Sequence, residues 1–127
     1  MVITFSAWRD STYDGYIGLA EILGHLGTHG VDLEWSCEID ELAPEPHDPA
    51  LESLTHRDRI STTELLRLVT PNKQIIDGRF DGMPPETRDP TVSILAIDSS
   101  EWEIESADPD LVHRLLSAYP DGKIASS

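Results

Sequence analysis

The chain is poor in cysteine and in lysine: Cys37 is the one cysteine, and Lys73 and Lys123 are the two lysines. A lone cysteine cannot close an internal disulfide, so the fold has to be held by its core. Basic residues of both kinds total 9 against 24 Asp and Glu, a formal net charge of −15. Such a surface repels phosphate backbones and anionic headgroups, which argues against nucleic acid and membrane surfaces as partners. The few bases are also scattered, so no nucleic-acid footprint can be assembled from them. Long apolar runs are missing too: nothing approaches the ~18 residues that span a bilayer. The first residues, Met1-Val-Ile-Thr-Phe-Ser6, lack the basic start and continuous apolar centre of a secretory signal. The expectation is a soluble cytoplasmic protein.

Catalytic signatures are equally sparse. Ser99 and Ser100 stand outside any Gly-x-Ser-x-Gly elbow. No glycine-rich phosphate loop is present, and no internal repeat is visible.

What the chain does have is a foldable core. With 127 residues and 39% hydrophobic content, one domain can bury roughly two-thirds of its unfolded surface. Residues 1–122 are expected to form that domain, with 123–127 a loose tail. The clearest organisation lies from Thr91 to Tyr119. Thr91-Val-Ser-Ile-Leu-Ala-Ile97 is apolar and β-branched, the composition of a buried strand. Asp98-Ser-Ser100 supplies a turn. Glu101-Trp-Glu-Ile-Glu-Ser106 then alternates strictly, placing Trp102 and Ile104 inward and three glutamates outward. Asp108 followed by Pro109 marks a helix start, and Leu111, Val112, Leu115, Leu116 and Tyr119 share one helical face.

Earlier in the chain, Val2 to Trp8 reads as a strand and the apolar spacing from about Tyr13 to Leu26 as a helix. Gly15, Gly18 and Gly24 weaken that helix by ~1 kcal/mol each relative to alanine, and Gly27 or Gly30 can stop it. Val31 to Leu42 alternates, with Val31, Leu33, Trp35, Cys37 and Ile39 assigned to the core. Cys37 is therefore read as a buried small hydrophobe rather than a reactive thiol. Pro44, Pro46 and Pro49 make 43–59 an irregular loop, a region suited to partner contact. Ser61 with Glu64 forms a capping box, and Ile60 with Leu65 a hydrophobic staple, for a helix that ends by Pro71. Lys73 to Phe80 reads as a strand interrupted by a turn or bulge at Asp77-Gly78. Met83 to Pro90 reads as a second irregular loop.

These elements imply one α+β domain in the order β-α-β-α-β-β-β-α. Its sheet of about five strands is mainly antiparallel, with three helices gathered on one face.

Each candidate for chemistry has a plainer role. His25 and His29 have the spacing of two metal ligands on a helix, but a helix end uses histidines against its own carbonyls. Asp77 to Gly82 lacks calcium-loop spacing and suits a turn. His47 with Asp48 and His56 with Asp58 sit in the irregular loop as solvated side chains. No metal or cofactor site follows from these residues, nor any catalytic group.

One constellation remains. Asp32, Glu34, Glu38 and Asp40 alternate outward along one strand, and Glu101, Glu103 and Glu105 along another. In one sheet these seven carboxylates share a face, and like charges opposed across strands repel. Either the face is simply solvated, or it docks a basic protein. The docking reading makes the chain a non-enzymatic acidic binding module. In size and charge it is similar to small acidic immunity proteins and nuclease inhibitors of bacteria, a likeness of class carried by no shared motif. The alternative is a small enzyme or ligand-binding domain using the carboxylates with His47 or His56.

Overall fold

The computed structural model describes residues 1–9, 15–42, 49–56, 58–69 and 74–126. Among the described residues seven strands form one antiparallel sheet: β1 (Val2–Ser6), β2 (Glu34–Leu42), β3 (Ile60–Ser61), β4 (Ile75–Met83), β5 (Val92–Ile97), β6 (Glu101–Ser106) and β7 (Lys123–Ser126). Their order across the sheet is β3-β2-β4-β5-β6-β1-β7. Four α-helices among the described residues accompany them: α1 (Leu19–Leu26), α2 (Pro49–Glu52), α3 (Thr62–Leu68) and α4 (Pro109–Ala118). The fold is α+β with an antiparallel sheet, and it carries two more strands and one more helix than the pattern predicts.

The sheet has one buried face. Ile3, Phe5, Trp35, Cys37, Phe80, Ile94, Ala96, Trp102 and Ile104 all point into a single cluster. The buried residues of α1, α3 and α4 close it from the other side, among them Ile22, Leu26, Leu65, Leu111 and Leu115. Both fully buried tryptophans satisfy their one polar atom: Trp35 Nε1 donates to Thr62 Oγ1 at 2.8 Å and Trp102 Nε1 to the Ile17 carbonyl at 2.8 Å. Burying an indole N–H without an acceptor would forfeit much of the gain from the ring.

Helix starts follow their local chemistry. Ser61 Oγ accepts from the Glu64 N–H at 3.1 Å, and Asp108 Oδ1 from the Asp110 N–H at 3.0 Å, with Pro109 in the first turn. The hairpin between β5 and β6 turns through Asp98 and Ser99 at φ of 50° and 58°. The Ser100 N–H donates to the Ile97 carbonyl at 2.9 Å, closing a turn whose two central residues are both left-handed within a three-residue connection.

Five expectations need correction. The first helix begins at Leu19, with Gly18 at its N-cap, so Gly24 is the one predicted weakener inside it. Val31 lies in the turn before β2 and is 60% exposed, because pairing with β4 begins only at Glu34. Asp77-Gly78 makes no turn, since β4 runs through it, but the pairing is irregular there: one register slip leaves Asp40 unpaired on β2 and a second leaves Ile76 unpaired on β4 beside Asp77. Gly78 and Gly82 are there for space instead, since a Cβ on Gly82 would lie 2.8 Å from Trp35 Cη2. The 43–59 segment is not wholly irregular: α2 and the 3-10 turn Ser53–His56 bury Leu51 and Leu54 in the core. Finally, Lys123 to Ser126 is no loose tail but the edge strand β7, paired with β1.

Candidate functional site: an uncovered acidic sheet face

Because side chains alternate across a strand, the register that buries Trp35, Phe80, Ile94 and Ile104 lifts their neighbours to the opposite face. One row reads Ser36, Asp81, Ser93, Glu105, Val2, and the next reads Glu38, Arg79, Leu95, Glu103, Thr4, Lys123. Ile97, Glu101 and Ser6 continue a third. Glu34 closes the far end opposite Met83. Glu38, Glu101 and Glu105 are exposed there, and Glu34 and Glu103 partly so.

Six of the seven predicted partner-binding residues are therefore brought together: Glu34, Glu38, Asp40, Glu101, Glu103 and Glu105. Asp32 lies in the turn before β2, outside the sheet. Asp40 joins through the irregularity between Ile39 and Glu41, where strict alternation lapses, and it lines a hollow of the face with Glu38 and Asp77. Asp77 and Asp81 of β4 join the face, a pair the sequence hid because Asp77-Gly78 reads as a turn. Among the described residues the face thus holds Glu34, Glu38, Asp40, Asp77, Asp81, Glu101, Glu103 and Glu105 against Arg79 and Lys123.

Head-on repulsion between the two predicted acidic strands is absent, and the like-charged cross-strand pair is Asp77 opposite Glu41, at the end of β2. Two strands, β4 and β5, separate β2 from β6, a distance of about 14 Å at ~4.8 Å per strand. Glu101 faces Ile97 and Ser6, Glu103 faces Leu95 and Thr4, and Glu105 faces Ser93 and Val2. Glu38 has Arg79 as its cross-strand neighbour. Arg79 Nε is drawn to Asp81 instead, 3.1 and 3.0 Å from its two oxygens, and Ser93 Oγ donates to the same carboxylate at 2.7 Å. At the Glu34 end, the Arg59 guanidinium donates to the carbonyls of Thr87 and Pro84, and its Nε lies 3.1 Å from Glu34 Oε1. The 84–87 loop is thereby fastened at the margin of the face.

A second polar cluster, unforeseen from the sequence, joins α1 to the ends of β1 and α4. Glu21 accepts from Tyr119 Oη at 2.6 Å and from the Arg9 guanidinium. Its desolvation works to raise the carboxyl pKa, but the two donors outweigh it and hold Glu21 below the usual carboxylate range. Burial, then the bond to Glu21, pushes the Tyr119 phenol well up. Tyr119 also stacks on Phe5 at 4.1 Å and meets the edge of His25 at 5.4 Å. The residues come from positions 9, 21, 25 and 119, so no local spacing announces them. Every group in it already has a partner, which makes it a clamp between elements.

His25 and His29 turn to different places: His25 Nε2 lies 3.9 Å from Glu21, and His29 Nδ1 2.8 Å from Asp108. Among the described residues no three His, Cys, Asp or Glu side chains converge to hold a metal ion. Cys37 is buried. His47 and the side chain of His56 lie outside the described residues. Among the described residues no helix is long and apolar enough to cross a membrane. Comparison with protein-family models, with curated proteins and with solved structures gives no match.

Proposed function

We propose that the chain is a non-enzymatic binding module whose uncovered sheet face occludes a basic partner protein. The observation that carries this reading is the sidedness of the molecule. One face of the sheet is closed by helices that carry both signs, Glu21, Glu64 and Asp110 with Arg67 and Arg114, while the other is left to solvent and, among the described residues, sets its carboxylates against two bases, Arg79 and Lys123. A charged, rigid, uncovered face steers an oppositely charged protein and orients it on approach. A sheet built on two buried tryptophans also presents that face with little conformational freedom to lose, which favours association.

The test starts from the partner isolated by co-purification and identified by mass spectrometry. Association is then measured at two salt concentrations for the wild type and for the Glu103→Lys, Glu105→Lys double variant. The double variant is expected to associate more slowly, with a flatter dependence on salt. Equal on-rates and equal salt slopes would remove this face as the docking surface.

A further inference from the structure

The acidic face is not uniform. A hollow of about 420 Å³ lies over β4 and β5 and is lined by Glu38, Asp40, Asp77, Arg79, Leu95 and Ile97. The floor is apolar: Leu95 is partly exposed and Ile97 37% exposed, among the few large hydrophobic side chains left to solvent. Carboxylates flank this floor on both sides. Glu103 and Glu101 are the cross-strand neighbours of Leu95 and Ile97 on β6, and Glu38, Asp40 and Asp77 stand on the β2–β4 side. The cation of the face does not fill the hollow, because Arg79 is engaged by Asp81. Among the described residues no side-chain hydrogen bond or ion pair holds the carboxylate of Glu38 or Asp40, and that of Asp77 accepts from the Asp98 N–H at 3.0 Å.

Resting on the acidic-face reading, we infer that this hollow anchors one long basic side chain, lysine or arginine, projecting from the partner protein. The chemistry matches in two parts. A three- or four-carbon stem lies on Leu95 and Ile97, and the charged head reaches the carboxylates at the rim, the usual division of a basic side chain between apolar surface and water. A bare metal ion does not fit, since among the described residues no three carboxylates converge to hold one at the ~2.3–2.6 Å that calcium requires. A purely apolar side chain would desolvate those carboxylates and offer them nothing.

The probes are N-acetyl-arginine methylamide and N-acetyl-lysine methylamide, with the norleucine analogue as the uncharged control. Each is titrated into the isotopically labelled protein at constant ionic strength, following backbone amide resonances. Saturable shifts centred on 38–40, 77–79 and 95–97 are expected for the two cations and none for norleucine. The variant Ile97→Ser keeps every charge and roughens the floor, so binding should weaken about fourfold, the worth of one buried methylene. Glu38→Gln, at an exposed position, should weaken it as well. Shifts spread evenly over Glu101–Glu105 and Glu34, or an undiminished response in Ile97→Ser, would overturn the anchor. The two readings also separate. If the Glu103→Lys, Glu105→Lys variant loses association with the basic partner while Ile97→Ser keeps it in full, the hollow fails and the acidic face stands. If neither variant changes association, the acidic face fails as well.

Discussion

Trp102 and Glu103 are neighbours in β6, and they belong to opposite worlds. Trp102 is fully buried, packed in the main cluster and hydrogen-bonded to the Ile17 carbonyl. Glu103 stands on the uncovered face between Leu95 and Thr4 and reaches water. On the first face stability depends on volume and on satisfying every buried polar atom. On the second, charges are spread across strands and screened by solvent, so they contribute little to folding and remain free to act on something outside. The same backbone hydrogen bonds serve both. The fold is therefore carried by one face, and the other is open to whatever function requires.

The largest effect should come from the buried face. Trp102→Ala empties a large site with its one polar atom already satisfied, and it should cost ~3–5 kcal/mol. A chemical denaturation midpoint within error of wild type would mean that the ring does not fill the core.

Gly82 sharpens the same point with an addition rather than a deletion. Replacing glycine in a strand would ordinarily help, by roughly 0.5–1 kcal/mol of chain entropy. Here the new Cβ would come 2.8 Å from Trp35 Cη2 and 3.0 Å from Leu33 Cδ1. Trp35 is 1% exposed and tied to Thr62, so it has nowhere to retreat. Gly82→Ala should therefore destabilise, by ~1–3 kcal/mol. A stabilised variant would show that the indole can shift.

How far the sequence announces these features depends on how local they are. β6, the cap at Ser61 and the start of α4 at Asp108 are legible because alternation and capping are written within a few residues. The open face is legible in part for the same reason: Glu101, Glu103 and Glu105 follow from one strand's alternation. Asp77 and Asp81 are not, because Asp-Gly reads as a turn, and only pairing with both β2 and β5 holds β4 straight through it. Val31 keeps an alternating pattern but lies before the first pair with β4. β7 is a strand only because β1 has a free edge beside it. The Glu21 clamp is assembled from both ends of the chain and has no signature at all.

The clamp supplies a pH-dependent prediction between the two extremes. Glu21 is held below its ordinary range, so its contribution is present above that range and is lost as pH falls through it. Tyr119 is the opposite case: its raised pKa gives a contribution that is whole below about pH 10 and is lost as pH rises beyond. Thermal melts of wild type and Glu21→Gln should differ most near neutral pH and converge in acid. In alkali, the tyrosinate absorbance of Tyr119 should emerge only with unfolding. A gap between the two melts that stays constant from neutral pH into acid would show that Glu21 does not titrate against its partners.

The smallest expected effect on folding is at Glu103, and it tests the comparison most directly. The side chain opposes Leu95 and Thr4, makes no direct pair with another acid, and is partly exposed. Glutamate and alanine are both indifferent strand residues, so local propensity changes little between them. No cavity opens, because that face has no second layer over it. Glu103→Ala should accordingly shift stability by no more than about 0.5 kcal/mol, the range of ordinary surface substitutions. Its neighbour Trp102→Ala, one residue away on the same strand, should cost several times that. A loss above ~1 kcal/mol at Glu103 would mean that the acidic face carries part of the fold. The division of labour between the two faces would then be wrong, and the face would no longer be free to serve a partner without cost to the protein itself.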